Sequence, residues 1–359
     1  MGAGLDAAGN VVGRYEAATP AAPALLLGSH IDTVRDAGKY DGNFGVVAAV
    51  EVVRRLRLAG ERLPFAVEVL AFGDEEGVRF PTTLTGSRAV AGTLDPAALD
   101  ARDDGGVSVR EALRQFGCDP ARIPDVPRRK EGVLGYVELH IEQGPVLEAE
   151  GLPIGVVTAI SGASRFTAHV FGVAGHAGTV PMALRKDALA AAAEIVLAVE
   201  RAGRETADLV ATVGRIEARP GAVNVIPSGA SFAIDVRSPS DRVRSGAVAR
   251  LNQELAGIAE RRGVTARLDK TDDEPAATCT PWLVEQLEAA VGRAGVRPLR
   301  LPSGAGHDGL AVVALCPIGM LFVRCEGGIS HNPAESITTE DADVAVRVLL
   351  DFLRRFRPA

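Results

Sequence analysis

Three short apolar runs each break into residues able to bind a metal or move a proton: ALLLGSHID from Ala24, PFAVEVLAFGDEE from Pro64 and GVLGYVELHIEQG from Gly132. Runs of this length, rich in Val and Leu and bounded by Gly or Pro, read as strands buried on both faces. Between the first two lies GVVAAVEVVRRLRLAG, where Val46, Val50, Val53 and Leu56 recur at helical spacing and are expected to face inward. Strand, helix, strand in alternation predicts an α/β domain. Ligands in such sheets sit beyond the carboxyl ends of the strands, so the polar residues that end each run should gather in one crevice.

The middle of the chain has another rhythm. A strand at 164–172 (SRFTAHVFG) precedes a helix, DALAAAAEIVLAVERAG, with Leu189, Ala192, Val196 and Val199 on one face. Strands at LVATVGRIEA and 224–237 follow, then a helix with Val248, Leu251, Leu255 and Ile258 inward, and VTARLDK closes the set. The order βαββαβ is ferredoxin-like and predicts a small domain inserted within the first. The expected division is a discontinuous catalytic domain at 1–161 and 274–359 around an insertion at 162–273, with hinges near 161–164 and 271–278. A chain of 359 residues is long enough for two cores. The text after Pro281 returns to α/β character and ends in an amphipathic helix, DADVAVRVLLDFLRRF.

Composition closes off several classes. With 39 Lys and Arg against 46 Asp and Glu, the net charge of −7 offers no footprint for nucleic acid or an anionic membrane. The longest apolar run, 310–323, contains Pro317 and is too short to span a bilayer. The N-terminal text carries acid early and no apolar core, so no secretory signal is expected. Cys118, Cys279, Cys316 and Cys325 show neither paired spacing nor the density of a disulfide scaffold. A cytoplasmic protein is the expectation.

The chemistry concentrates in few residues. His30 and Asp32 form an HxD pair; a ligating imidazole needs its other nitrogen held by a carboxylate or carbonyl, and Asp32 can serve His30 in that way. Alone, HxD reads as a surface or turn pair, and Asp74, Glu75 and Glu76 as a solvated turn. Taken with Asp41 in KYDGNFG, His140 in ELHIEQG and His331 in ISHNPAE, they supply three imidazoles and several carboxylates, donors suited to Zn²⁺ and acceptable to Mn²⁺. No Cys joins the pattern, which favours an open catalytic site over a structural one. His169, mid-strand with no chemical neighbours, reads as structural.

GSHIDTV, KYDGNFG, GDEEGVRF, ELHIEQGPVLE, GHAGTVPMALRKDAL, NVIP followed by DVRSP, SGAGHDG and ISHNPAE resemble, in this order, the amidohydrolase branch of the M20 metallopeptidase-like family, over almost the whole chain. That branch contains N-carbamoyl-L-amino-acid hydrolases, β-ureidopropionases and allantoate amidohydrolases; its members usually carry a further segment before the text equivalent to AGLDAAGNVVGR. The resemblance implies a central mixed-sheet catalytic domain of the zinc-dependent exopeptidase type with a ferredoxin-like dimerisation or lid domain. It implies two divalent ions per subunit, Zn²⁺ or Mn²⁺ with Co²⁺ or Ni²⁺ also admissible. Asp41 would bridge them, His30 and His140 would complete one, and Glu76 and His331 the other. The catalytic set it implies is Glu75 as general base, Asp32, and His176 polarising the substrate carbonyl, where it can reach the active site of a partner subunit in a homodimer. Asn224 and Arg237 would grip a substrate carboxylate, Gln143 the ureido group and Gly306 would offer a backbone N–H. His307, with Asp308, would either touch substrate or support the ligands from behind. For Glu75, His176 and Arg237 the alternatives are a solvated turn, a loop histidine and a surface ion pair. An imidazole at 140, where the peptidase branch carries a carboxylate, favours cleavage of an N-carbamoyl amino acid, with release of ammonia and carbon dioxide, or of allantoate, over a dipeptidase or aminoacylase. From another class, a homologue that binds ligand without turnover is the rival.

Overall fold

The computed structural model describes residues 1–359, which form two compact units: Met1–Ile160 with Thr278–Ala359, and Ser161–Ala277. The first is built on a nine-stranded mixed sheet. At its centre Ala66–Phe72, Ala24–His30, Val133–Ile141 and Ile318–Val323 lie side by side and parallel, so their carboxyl ends share one edge. Ala24–His30 and Ala66–Phe72 are buried at every position, as central strands covered on both faces must be. Ile154–Ile160 runs antiparallel to Ile318–Val323 and makes the sheet mixed, while Gly2–Leu5 and Val11–Tyr15 form a hairpin against Ala66–Phe72, an extension that the apolar pattern did not announce.

The helix Asn43–Leu58 covers this sheet with Ala48, Ala49, Val52, Val53 and Leu56. Val50, expected inward, is 42% exposed. The contacting stripe includes alanines, and reading one valine per turn followed its edge rather than its centre. The closing helix Thr339–Arg355 is capped by the Thr338 hydroxyl, which accepts the Asp341 N–H at 3.1 Å, and carries acid in its first turn and arginine in its last, matching the helix dipole.

The second unit is a four-stranded antiparallel sheet in the spatial order Thr265–Glu274, Gly162–Phe171, Gly229–Ser238, Val210–Arg219. Two helices, Ala188–Glu205 and Asp241–Arg262, complete the βαββαβ sequence. Gly229–Ser238 alternates between buried and half-buried residues along its whole length, the pattern of a strand with one face in a core. That core unites Phe166, Val170, Ile195, Phe232, Leu251 and Leu255. On the first of these helices Ala192 and Val199 are buried and Val196 packs against the core as expected, but Leu189 is exposed, its place on the inner face taken by Ala188, Ala191 and Ile195. A separate two-stranded pairing, Gly175–His176 with Val225–Ile226, joins two loops of this unit.

Candidate metal centre

The topology delivers the ligand-type residues to the shared edge of the parallel strands. His30 is the last residue of its strand and His140 the penultimate residue of the neighbouring one. Asp41 stands in the loop entering the helix Asn43–Leu58. The adjacent Gly42 has φ 65°, and a Cβ there would lie 2.4 Å from the His30 ring, so only glycine lets this loop pass the imidazole. Glu75 and Glu76 follow the strand Ala66–Phe72, after Asp74 turns the chain at φ 60°. His331 lies beyond Ile318–Val323, also left-handed at φ 53°.

Asp41, 1% exposed, is the pivot. Its Oδ1 lies 3.1 Å from His140 Nε2 and 3.7 Å from His30 Nε2, and its Oδ2 lies 3.0 Å from His331 Nε2, which is 3.5 Å from Glu76 Oε1. One carboxylate thus turns one oxygen to each of two ligand pairs. The tautomers can be read from the partners. His30 Nδ1 meets the Asp32 carbonyl at 2.9 Å and His140 Nδ1 the Ile141 carbonyl at 2.8 Å; a carbonyl only accepts, so each Nδ1 carries the proton and each Nε2 presents a lone pair. Those two Nε2 atoms face each other at 3.3 Å. Asp41 Oδ1 and Glu76 Oε1 are buried without a hydrogen-bond partner. Imidazole lone pairs and carboxylate oxygens converging in this way fit divalent cations, and the groups His30–Asp41–His140 and Asp41–Glu76–His331 each bring three ligand atoms within 4.8 Å of one another.

The electrostatics agree. Burial opposes ionisation of Asp41, but the imidazoles of His140 and His331 beside its two oxygens outweigh it and hold its pKa far below the carboxylate range. The carboxylates of Asp41 and then Glu76 beside it push His331 up to about 10. Burial works against charge on His140, yet Asp41 raises it. Glu75, 9% exposed, is pushed well above the ordinary carboxylate range by burial and then by the charges of Asp308, Glu76, Asp32 and Glu138, the direction that suits a proton acceptor working near neutrality.

The remaining residues divide. Asp32 steadies His30 through its main-chain carbonyl. Its carboxylate is 3.9 Å from the ring, and accepts instead the backbone N–H groups of Glu75 at 3.1 Å and Glu76 at 3.0 Å. Gln143 is held at φ 57° with its amide nitrogen 3.1 Å from Asp41 Oδ2, so it lies on the pivotal carboxylate, and its Oε1 is buried and unpartnered. Gly306 lies near Glu75: a Cβ there would be 3.9 Å from Oε1. His307 is completely buried, its ring edge-on to His140 at 4.4 Å and its Nε2 2.7 Å from the Ser303 hydroxyl. Burial, then the neighbouring histidines, hold it neutral. Its ring is thus enclosed and packed against His140.

His176, Asn224 and Arg237 belong to the second unit. The Ala177 N–H donates to the Asn224 carbonyl at 3.0 Å, which sets His176 and Asn224 side by side, both exposed. Gly178 N–H donates to His176 Nδ1 at 3.0 Å, so the neutral ring carries its proton on Nε2. Arg237 is half-buried and pairs with Asp235 through Nε at 2.8 Å and Nη2 at 3.1 Å.

Two buried acids escaped the sequence reading. Glu138, two residues before His140, accepts the Ser29 hydroxyl at 3.0 Å and the Gly309 N–H at 3.2 Å. Glu335 accepts the N–H groups of Tyr40 and Asp41. The available signals were strand alternation for Glu138, which places it on the same face as His140, and a lone acid four residues after His331 for Glu335.

Comparison with known proteins gives this geometry its family. Residues 26–355 match the model for Peptidase family M20/M25/M40. The chain is 44% identical over 344 residues to an N-carbamoyl-L-amino acid amidohydrolase of Geobacillus stearothermophilus, covering 96% of this chain and 84% of that protein. It is 40% identical over 380 residues to an allantoate deiminase of Arabidopsis thaliana, covering 97% and 72%. Among solved structures, a hydantoinase/carbamoylase-family amidase from Burkholderia multivorans superposes with a TM-score of 0.92 at 33% identity, over 100% of this chain and 87% of that one. The chain belongs to Peptidase family M20/M25/M40 and, within it, to the amidohydrolase branch.

Proposed function

We propose that the protein hydrolyses the C–N bond of N-carbamoyl amino acids, releasing the amino acid, ammonia and carbon dioxide. The observation that carries the reading is Asp41 presenting one oxygen to His30 and His140 and the other to Glu76 and His331. Two divalent ions held there, Zn²⁺ or Mn²⁺ with Co²⁺ or Ni²⁺ also compatible, would supply Lewis acidity and a water acidified enough to attack at neutral pH. Glu75 takes the proton from the attacking water and returns it to the leaving nitrogen, a role supported by its burial and raised pKa. Asp32 holds the turn that presents Glu75 and Glu76. His176, with its proton on Nε2, donates to the oxyanion. Arg237 and Asn224 take the substrate carboxylate, for which a planar guanidinium is suited. Gln143 turns its amide toward the ureido group, and Gly306 offers its N–H.

The 44%-identical relative supports a carbamoyl amino acid as substrate, and the allantoate deiminases support allantoate as the second reading. Both molecules present a ureido nitrogen near a carboxylate. Ammonia release from carbamoyl amino acids, allantoate and dipeptides, with Zn²⁺, Mn²⁺ and Co²⁺ in turn, tests the proposal; faster cleavage of dipeptides overturns it. We place the protein in the cytoplasm as a homodimer. No helix is long and apolar enough to cross a membrane. The edge strand Val210–Arg219 leaves Val210 and Ile216 exposed, a surface on which a second copy can extend the sheet of the second unit. A monomer by analytical ultracentrifugation refutes that part.

A further inference from the structure

Glu335 is only 3% exposed and bonds to two loops at once. Its Oε1 accepts the N–H of Tyr40 at 2.9 Å and of Asp41 at 3.1 Å, while its Oε2 accepts the Ser330 hydroxyl at 2.9 Å. The first two belong to the loop that carries Asp41, and Ser330 immediately precedes His331. The fit is close: a Cβ on Gly38 would fall 2.3 Å from the Glu335 Cβ, so the Asp41 loop is shaped to admit this side chain. A tight turn brings it there, with Glu335 N–H donating to the Asn332 carbonyl at 3.0 Å and Ala334 N–H to Asn332 Oδ1 at 2.9 Å. That turn follows directly on His331, whose left-handed backbone persists only where its surroundings over-determine it.

We propose that Glu335 is a positioning residue that clamps the Asp41 loop to the His331 loop, so that the bridging carboxylate keeps one oxygen for each half of the centre. The proposal rests on the two-ion reading given above. A carboxylate shared between two ions tolerates little rotation or shift, and Glu335 binds the main-chain N–H of Asp41 itself. The half made by His30 and His140 stands on strand ends, each ring anchored to a carbonyl. The half made by Glu76 and His331 stands on loops, with the His331 side chain 48% exposed, and depends on the clamp.

Glu335→Ala, Glu335→Gln and Ser330→Ala separate the possibilities. In metal-free protein followed by amide hydrogen exchange, Glu335→Ala should speed exchange of the Tyr40 and Asp41 amides about tenfold, the equivalent of one lost hydrogen bond to a charged acceptor. Glu335→Gln, which keeps an oxygen for both amides, should leave them protected within about threefold. Ser330→Ala, which touches neither amide, should leave them unchanged. In a Co²⁺ titration followed by absorption and metal analysis, Glu335→Ala should keep one tight equivalent and bind the second about tenfold more weakly, with Glu335→Gln restoring it. Should Glu335→Ala fail to fold, Glu335→Asp, one methylene short of the amides, carries the same tests. Unchanged amide exchange in the shortened variants, or a Gln variant that behaves like Ala, overturns the clamp. A wild-type protein that binds one Co²⁺ overturns the two-ion reading alone, because the exchange measurement still decides the clamp.

Discussion

Replacing Asp32 separates two mechanisms that the HxD motif leaves confounded. If its carboxylate orients His30, the substitution loosens a ligand; if it holds the turn at Glu75 and Glu76, the substitution misplaces the base. The geometry favours the second. The carboxylate is 3.9 Å from the His30 ring but 3.1 and 3.0 Å from the two backbone N–H groups, and the imidazole keeps its bond to the Asp32 carbonyl whatever the side chain. Two charge-assisted hydrogen bonds at a side chain 28% exposed contribute about 1 to 1.5 kcal/mol each after solvent screening. Asp32→Ala should therefore lower kcat by roughly 30- to 150-fold. Asp32→Asn keeps one acceptor oxygen and should lose about tenfold.

The assay is ammonia release in a double-mutant cycle with Glu75→Gln. A group that acts by placing Glu75 has little left to lose once the base is gone, so Asp32→Ala should cost less than about threefold in the Gln background, and the coupling should recover most of the single-mutant effect. Metal analysis accompanies it, with the ion on His30 and His140 retained. Additive effects on kcat, together with loss of that ion, would show the carboxylate acting through His30 and refute the reasoning.

Glu75→Gln alone should retain its metal content by elemental analysis while turnover falls by at least about a hundredfold, because an amide cannot accept the proton; full activity would remove Glu75 from its role. His176→Ala should also keep its metal and lose about a hundredfold in kcat, the cost of one oxyanion donor, whereas loss of metal would place His176 among the ligands. Gly42→Ala puts a Cβ 2.4 Å from the His30 ring at φ 65°, and should reduce bound metal in elemental analysis even where circular dichroism shows a folded chain. In the second unit, hydrogen bonds from Lys270 and Ser164 hold Asp273 down at about 2, from an unfolded value of 3.8, and Arg244 adds its charge. A depressed acid contributes stability above its unfolded pKa and loses it as pH falls through the folded one. The stability difference between wild type and Asp273→Asn in denaturant melts should therefore shrink from pH 4 toward pH 2; a constant difference would show that the charge of Asp273 is idle.

What was legible in the sequence follows a physical division. Strands buried on both faces write themselves as unbroken apolar runs, and with only six histidines in the chain His30 and His140 stand out at the ends of two of them, whereas the residues alone left the choice among Asp74, Glu75 and Glu76 open and only the family resemblance singled out Glu76 and the set it forms with Asp41 and His331. The helix faces were less legible. Val50 and Leu189 were expected inward and are exposed, because alanine packs against a sheet as readily as valine or leucine and carries no distinctive mark in a pattern. The least legible residues are those that act on the main chain. Asp32 on the amides of Glu75 and Glu76, Glu335 on those of Tyr40 and Asp41, and Glu142 on those of Val146 and Leu147 all find partners that every non-proline residue possesses. A ligand needs a particular partner atom and so leaves a motif. A carboxylate that accepts backbone N–H groups needs only a loop of the right shape, and the shape of a loop is decided by the tertiary fold. This is why the sequence places Asp32 beside His30 as its apparent partner, while the folded chain gives that carboxylate to the turn bearing Glu75.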